Sequence, residues 1–597
     1  MVARWLILIG KSEDAVNAML QSTSVGSVQK ISHSGCEIRL LYSNADQILI
    51  LPNDKGFIVG TLFPRFGPHR AISRDDSTEL DRIAAGGHGE FLQRYWGSYI
   101  AVFCEGLGVT VIRDPSGSQP CYYLDKPGGI ALTSDVGILV RYGALVPTIA
   151  WEEIPRYLCA KDLPSEKTAL TGVRELLAGT ALVHHFDKQE VLEIWSPRNH
   201  ITPSRDWSAS EAIELLRRTV QNCATAWRSR FDLPLLMLSG GLDSSVVACC
   251  MRHAGARIST MTVTSGDGLG DERQYAQMMA QAIGSDLFET TLNIDDIDLS
   301  RSVAEHFPKP IGATHENALL KAIIRRSREI GADHVLTGNG GDNVFYNSSS
   351  VRPFFDRLYD SRGWTGAFST LRDISQITGT TPTKVARAII AYLRQVRSPY
   401  VWTKETDFLT SDAKIETGNL RLDHRWLDNM CFAPTGKQGH IAMLLRMQNH
   451  IEGYLRPFDL PIINPLTSQP IVELALSIPT WRQIEGGRNR SVVRRAFANA
   501  LPESIVCRTG KGSPSGFAMS IFRMKSDEIR QRIMEGPLAK RNYINCNEVL
   551  GALDKGPAMG LSYMRLLAFL DLQAWIEHWS SSSTTSVALP LLETRSR

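Results

Sequence analysis

The segment from Leu235 to Val247 reads LLMLSGGLDSSVV, an apolar run that ends abruptly in serine, glycine and aspartate. Strand patterns and helix patterns alternate around it, which indicates a strand of a parallel sheet followed by a helix. Ligands of such sheets bind beyond the carboxyl ends of the strands. Glycines there let backbone N–H groups approach an anion, and the helix N-terminus adds partial positive charge. The segment predicts a phosphate-binding loop, against the plainer alternative of a glycine turn before a helix cap.

The loop lacks the lysine of a GxxxxGK[ST] motif, which disfavours a Walker-type kinase or GTPase. Asp243 would repel a phosphate unless a cation stood between them, and Mg²⁺ held by carboxylates and phosphate oxygens is the usual arrangement. A second segment, LTGNGGDNVF from Leu336 to Phe345, again follows a short strand. Because strand ends share one sheet edge, Asp342 is expected beside Asp243 as the other metal ligand. Together the two segments predict a nucleotide site that contains Mg²⁺.

The composition bounds the class of protein. The 597 residues contain 43% hydrophobic and 21% charged residues with a net charge of +3, so neither nucleic acid nor a membrane is an expected partner. Apolar runs stop short of the ~20 residues that span a bilayer, and we expect a cytoplasmic protein. The ten cysteines form no CxxC pair, which argues against zinc and disulfide frameworks.

The secondary-structure pattern changes along the chain and predicts its domains. Short strands such as EIRLLYS, QILILP and GFIVGTLF dominate the first part, which predicts a β-sandwich. Strands and helices alternate from about Trp207, and 350–450 is mainly helical in pattern. We predict one domain over 1–205, a second over 206–580, and a flexible tail over 581–597.

Several segments together resemble a known family. SGGLDSS resembles the pyrophosphate-binding loop of the ATP pyrophosphatases, and LTGNGGDNVF resembles the second motif of their asparagine synthetase branch. The similarity continues through INPLTSQPIVELALSIP, RNRSVVRRAF and LPESIVCRTGKG, while WGSYIAVF, IRDPSGSQPCYY and ALTSD resemble the glutamine amidotransferase domain of that branch. The resemblance implies an α/β fold: an N-terminal Ntn-like (class II glutamine amidotransferase-like) β-sandwich and a C-terminal ATP-pyrophosphatase (adenine nucleotide α-hydrolase-like) parallel-sheet domain with added helices.

Two departures from the asparagine synthetase pattern shape the expected function. Position 2 is valine where glutamine-hydrolysing members have cysteine, and the first cysteine is Cys36, so no glutaminase is expected. Asn339 and Gly341 stand where that branch has glutamate and serine. The GxGGD pattern and PLTSQPIVE resemble lasso peptide cyclases. That resemblance implies ATP-dependent adenylation of an Asp or Glu side chain in a precursor peptide, then attack by the peptide's α-amine to close a macrolactam, with AMP and pyrophosphate released.

The resemblance also implies roles for individual residues. Asp243 and Asp342 would hold Mg²⁺, Arg490 would lie near the phosphates of ATP, and Lys511 would stabilise an oxyanion. The implied nucleotide contacts are Leu238, Ser239, Gly240, Gly241, Ser244, Ser245, Val263 and Gly338, in addition to Asp243. The general base is not identified, although Glu452 is a candidate. The aromatic residues suggested for the peptide cavity, against ordinary core packing, are Trp402, Trp426 and Tyr454.

Two other functions remain open at this stage. One is β-lactam synthetase-like or ammonia-dependent amide synthesis on a small amino acid, and the other is a non-catalytic nucleotide-binding scaffold. The partners implied for a lasso cyclase are the precursor peptide, a leader peptidase and a leader-binding protein.

Overall fold

The structure, a computed structural model, describes residues 4–20, 27–106, 108–185, 188–201, 207–265, 271–359, 363–396, 398–431, 433–510, 515–555 and 562–581. Its strands are β1 Trp5–Gly10, β2 Ser27–His33, β3 Cys36–Tyr42, β4 Ile48–Leu51, β5 Gly56–Pro64, β6 Tyr95–Glu105, β7 Gly108–Arg113, β8 Tyr122–Lys126, β9 Gly129–Thr133, β10 Arg174–Glu175, β11 Thr180–His185, β12 Lys188–Glu193, β13 Pro234–Met237, β14 Ser259–Thr264, β15 Leu287–Thr291, β16 His334–Leu336 and β17 Ile462–Ile463.

The helices are α1 Glu13–Ala18, α2 Ser77–Arg94, α3 Val136–Arg141, α4 Ile154–Ala160, α5 Ala209–Arg228, α6 Leu242–His253, α7 Arg273–Ile283, α8 Glu316–Ile330, α9 Gly341–Val344, α10 Arg352–Tyr359, α11 Gly363–Thr378, α12 Pro382–Tyr392, α13 Ser411–Asn419, α14 Thr435–Gln448, α15 Gln469–Ser477, α16 Thr480–Gln483, α17 Ser491–Ala496, α18 Glu503–Val506, α19 Ser515–Met524, α20 Ser526–Glu535, α21 Pro537–Lys540, α22 Cys546–Asp554 and α23 Ser562–Ser581. None of these helices has the length and apolar character needed to cross a bilayer.

The chain up to Glu193, about one third of its length, forms two antiparallel sheets packed face to face. Their strand orders are β10-β8-β9-β1-β3-β2 and β12-β11-β7-β6-β5-β4. Strand β1 shows why the sequence WLILIG belongs inside: Trp5, Ile7 and Ile9 enter the core between the sheets, while Leu6 and Leu8 face a second core on the other side. Both faces of this sheet are covered, which explains an apolar run rather than an apolar–polar alternation.

The rest of the chain is built on a parallel sheet in the order β15-β14-β13-β16-β17. The chain proceeds outward from β13 through β14 to β15, and β16 then returns to the opposite side of β13. The strand order therefore reverses at β13, and a crevice at such a switch point is where open α/β sheets bind ligands. The two sandwiched antiparallel sheets and this parallel sheet confirm the predicted fold class.

Contacts between the antiparallel-sheet region and the rest of the chain are extensive. Lys309 donates to Glu175 at 2.6 Å and to Asn449 at 2.8 Å, and Arg113 also donates to Glu175 at 2.9 Å, all four side chains being buried. The last described helix, α23, packs in the same apolar cluster as β1 and donates Trp575 Nε1 to the Phe307 carbonyl at 2.9 Å. These contacts place elements of the antiparallel-sheet region beside the parallel-sheet region.

The boundary predicted at 205–206 falls within 202–206, outside the described residues, and the predicted tail beyond Ser581 also lies outside them. Helix α5 begins shortly after this gap with a capping box formed by Ser208 and Glu211. The domain limits remain predictions.

Candidate functional site

The loop between β13 and α6 has the tight course that its glycines allow. Gly240 has a φ of 66°, and a Cβ there would lie 2.4 Å from the Cβ of Tyr275, so only glycine fits. Gly241 caps the N-terminus of α6, and Asp243 lies in the first turn. The hydroxyl groups of Ser239 and Ser244 are 3.2 Å apart across the loop. The loop therefore presents hydroxyl groups and a helix N-terminus at the end of the central strand.

A second loop, between β16 and α9, packs directly on the first. A Cβ at Gly338 would lie 2.5 Å from the Ser244 backbone nitrogen, and one at Gly341 would lie 2.5 Å from Cγ of Asp243. Glycine at these positions is what allows the two loops to approach so closely. Gly341, one of the two departures from the asparagine synthetase pattern, thus contributes directly to the position of the Asp243 side chain.

The two aspartates converge on a single nitrogen. Arg490 Nη1 lies 2.8 Å from Asp243 Oδ2 and 2.5 Å from Asp342 Oδ1. Arg490 adopts a φ of 54°, a left-handed conformation that costs energy for a residue with a side chain and is frequent at functional sites. Carboxylates from two strand ends that share one cation can also share a metal ion, so their convergence meets the geometric requirement of the predicted Mg²⁺ site.

The chemistry of these donors also fits Mg²⁺. The ion takes oxygen ligands, typically one or two carboxylates together with water and substrate phosphates. Within the described ranges no group of three or more His, Cys, Asp or Glu side chains is arranged to hold a metal. Asp243 and Asp342 would therefore supply two of the ligands, and phosphate oxygens and water would be needed for the rest.

The loops open onto a cavity of about 630 Å³. The predicted residues that line it are Leu238, Ser239, Gly241, Asp243, Ser244, Val263, Gly338, Asp342 and Arg490. Gly240 is not among the lining residues, and its carbonyl accepts a hydrogen bond from Arg508 at 3.2 Å. Ser245 is fully buried, with its hydroxyl in the protein interior, which corrects its prediction as a hydroxyl donor to the nucleotide. Lys511 lies outside the described residues.

Other predicted residues are placed away from this cavity. Glu452 pairs with Arg456 and faces a separate cavity of about 60 Å³, which corrects its candidacy as the general base. Trp402 and Trp426 are buried in the main apolar core, whereas Tyr454 lines the large cavity.

The structure adds two arginines that the sequence analysis did not single out. Arg508 lines the cavity, pairs with Glu272 at 2.6 Å and lies 4.0 Å above the ring of Tyr275. Arg494 also lines the cavity, and burial lowers its pKa to about 10, with the Arg490 charge adding to the effect. Both belong to segments that carry the family resemblance, so the motif strings contained a signal for them.

Helix α8 and residues after α14 form another part of the cavity wall. Glu316, Leu319, Leu320 and Ile323, spaced as one face of a helix, all line it. His450 also lines the cavity, and its ring nitrogens lie 3.1 Å from Asp162 Oδ1 and 3.2 Å from the Tyr454 hydroxyl. Asn339, the other departure from the asparagine synthetase pattern, donates to the His450 carbonyl at 3.4 Å. The cavity lining is thus basic and polar at the loops, and α8 adds three apolar side chains and one acid.

The fold and the site together define a parallel α/β protein with two glycine-rich loops and two converging carboxylates at the switch point of its sheet. The family model of asparagine synthase matches residues 211–579. The chain belongs to this asparagine synthase family. The match covers the entire parallel sheet and both loops of the cavity.

Curated relatives match over shorter stretches. The carboxyethyl-arginine β-lactam synthase of Streptomyces clavuligerus is 25% identical over 171 residues, 28% of this chain and 30% of that protein. The tRNA-specific 2-thiouridylase MnmA of Geobacter metallireducens is 24% identical over 161 residues, 21% of this chain and 41% of that protein. The chain therefore spans less than half the length of either relative.

Solved structures give only distant overlaps. Glutamine phosphoribosylpyrophosphate amidotransferase from B. subtilis, in complex with ADP and GMP, has a TM-score of 0.21 and 10% identity, covering 49% of this chain and 91% of that one. An allosteric regulatory enzyme of purine biosynthesis has a TM-score of 0.20 and 11% identity, covering 56% and 84%. These overlaps add nothing to the topology described above.

Proposed function

We propose that this protein is an ATP-dependent, AMP-forming amide ligase that closes a macrolactam in a ribosomally made lasso precursor peptide. The observation that carries the proposal is the convergence of Asp243 and Asp342 on one cation position at the switch point. Membership of the asparagine synthase family supports the amide-forming chemistry. The lasso substrate class is supported by the PLTSQPIVE and GNGGD segments alone.

The source of the amine is inferred from the antiparallel-sheet region at the start of the chain. Its first cysteine, Cys36, is buried, and burial raises the pKa of its thiol. A thiol of this kind does not suit a nucleophile, which needs a thiolate and access to substrate. We therefore infer that the attacking amine belongs to the substrate rather than to ammonia released from glutamine.

The proposed reaction has two stages. A carboxylate oxygen of the peptide attacks the α-phosphorus of ATP, and the bond to pyrophosphate breaks. The amine then attacks the acyl carbon, and AMP leaves with the electron pair of the broken carbon–oxygen bond. The loop amides, the Ser239 and Ser244 hydroxyls and the guanidinium groups of Arg490 and Arg508 lie at this cavity and would stabilise the phosphate charge that develops.

Bound Mg²⁺ would neutralise charge on the departing pyrophosphate, with Asp243 and Asp342 as its protein ligands. A cavity of about 630 Å³ lies within the usual range for one bound small molecule. A nucleotide and the reacting ends of a peptide would fill it, so the remainder of the peptide would lie outside. A leader peptidase and a leader-binding protein are proposed partners.

A second candidate is amide synthesis within a small amino acid. The observation that favours it is the match to a carboxyethyl-arginine β-lactam synthase, which includes 28% of this chain. Asn339 lining the cavity is compatible with either substrate. The two candidates share the adenylation stage and differ in the molecule that carries both the carboxylate and the amine.

Exchange of labelled pyrophosphate into ATP separates the candidates, because it requires only the first stage. The probes are synthetic versions of short peptides encoded beside this gene, carboxyethyl-arginine, and aspartate with ammonium. Peptide-dependent exchange, with AMP and a product lighter by one water, is expected. Exchange with a small amino acid alone would favour the second candidate, and nucleotide binding without exchange would favour a scaffold. Full turnover after both Asp243→Asn and Asp342→Asn would refute the metal assignment.

A further inference from the structure

Glu316 lines the large cavity, and no cationic side chain among the described residues forms an ion pair with it. No described residue hydrogen-bonds Glu316 Oε2, although this oxygen is buried. The carboxyl group interacts with the Ala313 backbone amide and the Tyr454 hydroxyl, and Lys161 acts on it only through its charge. A buried carboxylate oxygen without a partner is unfavourable, so the site is suited to a ligand that donates a proton or brings a positive charge.

The surroundings of Glu316 narrow the ligand to a cation with an apolar body. The adjoining cavity wall is made by Leu319, Leu320 and Ile323 on the next turns of α8. Phosphate groups of a nucleotide would bind at the loops, beside Arg490 and Arg508, which line the same cavity. A second anion beside Glu316 would be repelled, whereas an ammonium group attached to a small apolar residue would meet both the carboxylate and the apolar wall.

We propose that Glu316, which lines the cavity together with Tyr454, forms the subsite that binds the substrate's primary ammonium group and removes its proton before the amine attacks. This inference rests on the proposed amide-ligase function, for which it assigns the amine-binding residue. A proton passes from R–NH₃⁺ to Glu316 Oε2 and leaves R–NH₂. The nitrogen lone pair forms the bond to the acyl carbon, the carbon–oxygen bond to AMP breaks, and AMP phosphate takes the second proton from nitrogen.

Tyr454 is the positioning residue in this subsite. Its hydroxyl lies near the Glu316 carboxyl group, donates to the Ile311 carbonyl at 3.3 Å and lies 3.2 Å from His450 Nδ1. His450 is fixed in turn by Asp162, which belongs to the segment after α4. The N-terminal region that contains Asp162 thereby contributes to the geometry of a cavity at the edge of the parallel sheet.

The protonation of Glu316 suits this role. Burial raises its pKa to about 7, and a base is most effective when its pKa is near the working pH. The other titratable groups that face it are Lys161 and Tyr454, together with His315 beside it and Asp571 on α23. Because Asp571 also has a raised pKa, of about 6, the pH profile must be assigned by substitution.

The test compares Glu316→Gln with Glu329→Gln, an exposed glutamate on the same helix. Pyrophosphate exchange is measured with an N-acetylated peptide, which blocks the amine, and ring closure is measured with the free peptide. E316Q is expected to keep exchange within about twofold and to lose ring closure by at least about 100-fold, in the range of general-base effects. Its acid limb near pH 7 in kcat/KM is expected to vanish, while E329Q keeps wild-type behaviour.

Hydroxylamine, which is unprotonated at neutral pH, gives a second measurement. E316Q should trap the activated peptide as a hydroxamate at the wild-type rate, because no ammonium needs to lose a proton. Wild-type ring closure in E316Q would overturn the subsite, and so would loss of exchange or trapping in an E316Q protein that melts no lower than the wild type. If E316Q does not fold, the same two measurements are made on E316D. Slow ring closure with normal pyrophosphate exchange in E316D would support the subsite, and normal ring closure would overturn it. Absence of exchange in the wild type would instead refute the proposed function itself.

Discussion

The ion pair at the centre of the site leads to a specific prediction about stability and metal binding. Replacement of Arg490 by methionine leaves Asp243 and Asp342 facing each other without the guanidinium that bridges them at 2.8 and 2.5 Å. Hydrogen bonds to charged groups contribute roughly 1.5–3 kcal/mol each. Because the Asp342 side chain is 30% exposed, we take the lower value for both bonds and expect a loss of about 3 kcal/mol.

A divalent cation should restore what the substitution removes. Ligand binding at 100 times Kd stabilises a protein by about 2.7 kcal/mol. Recovery of nearly the whole loss at about 10 mM Mg²⁺ therefore corresponds to a Kd of about 0.1 mM by the same relation. Wild-type protein should respond far less to Mg²⁺ alone, because the guanidinium already occupies the position between the carboxylates.

The assay is thermal unfolding followed by fluorescence, with and without Mg²⁺ and in the absence of nucleotide. Arg488→Met is the matched control, since it makes the same change at an exposed position two residues away. The double variant Arg490→Met, Asp342→Asn should lose the Mg²⁺ response. An equal response to Mg²⁺ in R490M, R488M and wild type would refute the reasoning that these two carboxylates form a cation site.

Three further predictions concern packing and pH. Gly341→Ala should weaken MgATP binding at least tenfold by calorimetry, because its Cβ would lie 2.5 Å from the Cγ of the first-loop aspartate, whereas Gly551→Ala, where a Cβ has open space, should bind normally. The pKa of Glu316 is raised from 4.5 to about 7, so its stabilising contribution is present below pH 4.5 and is lost as pH rises through 7; E316Q should therefore melt higher than wild type at about pH 8 and not at about pH 4. Lys309→Met should lower the urea midpoint, with a loss of about 3 kcal/mol for a broken buried pair, because Glu175 keeps only one cationic partner; an unchanged midpoint would contradict this.

Local chemistry explains which features the sequence alone could predict. The serine, glycine and aspartate residues of SGGLDSS specify a tight turn and a helix start through their own backbone and side-chain properties, and the structure has both at β13 and α6. The Ser208 cap of α5 follows from the same short-range logic. Repeated strand–helix patterns were sufficient for the parallel sheet, because a crossover helix is what parallel strands require.

Side-chain direction within those elements depended on packing. Ser245 is one residue from Ser244, yet its hydroxyl is buried while Ser244 lines the cavity, since successive helix positions face different sides. Glu452 lies two residues from His450 and pairs with Arg456 at a different cavity. A string of letters does not show the rotation of a segment against its neighbours.

The sequence by itself determined the class of fold and the chemistry of the two loops, because turn formation, helix capping and strand periodicity act over a few residues. Only the tertiary structure decided that Arg490 stands between Asp243 and Asp342, and that Glu316 and Tyr454 line the same cavity. Arg490 is more than a hundred positions from either aspartate, and Tyr454 is as far from Glu316, so their meeting depends on how the helices and loops pack around the parallel sheet.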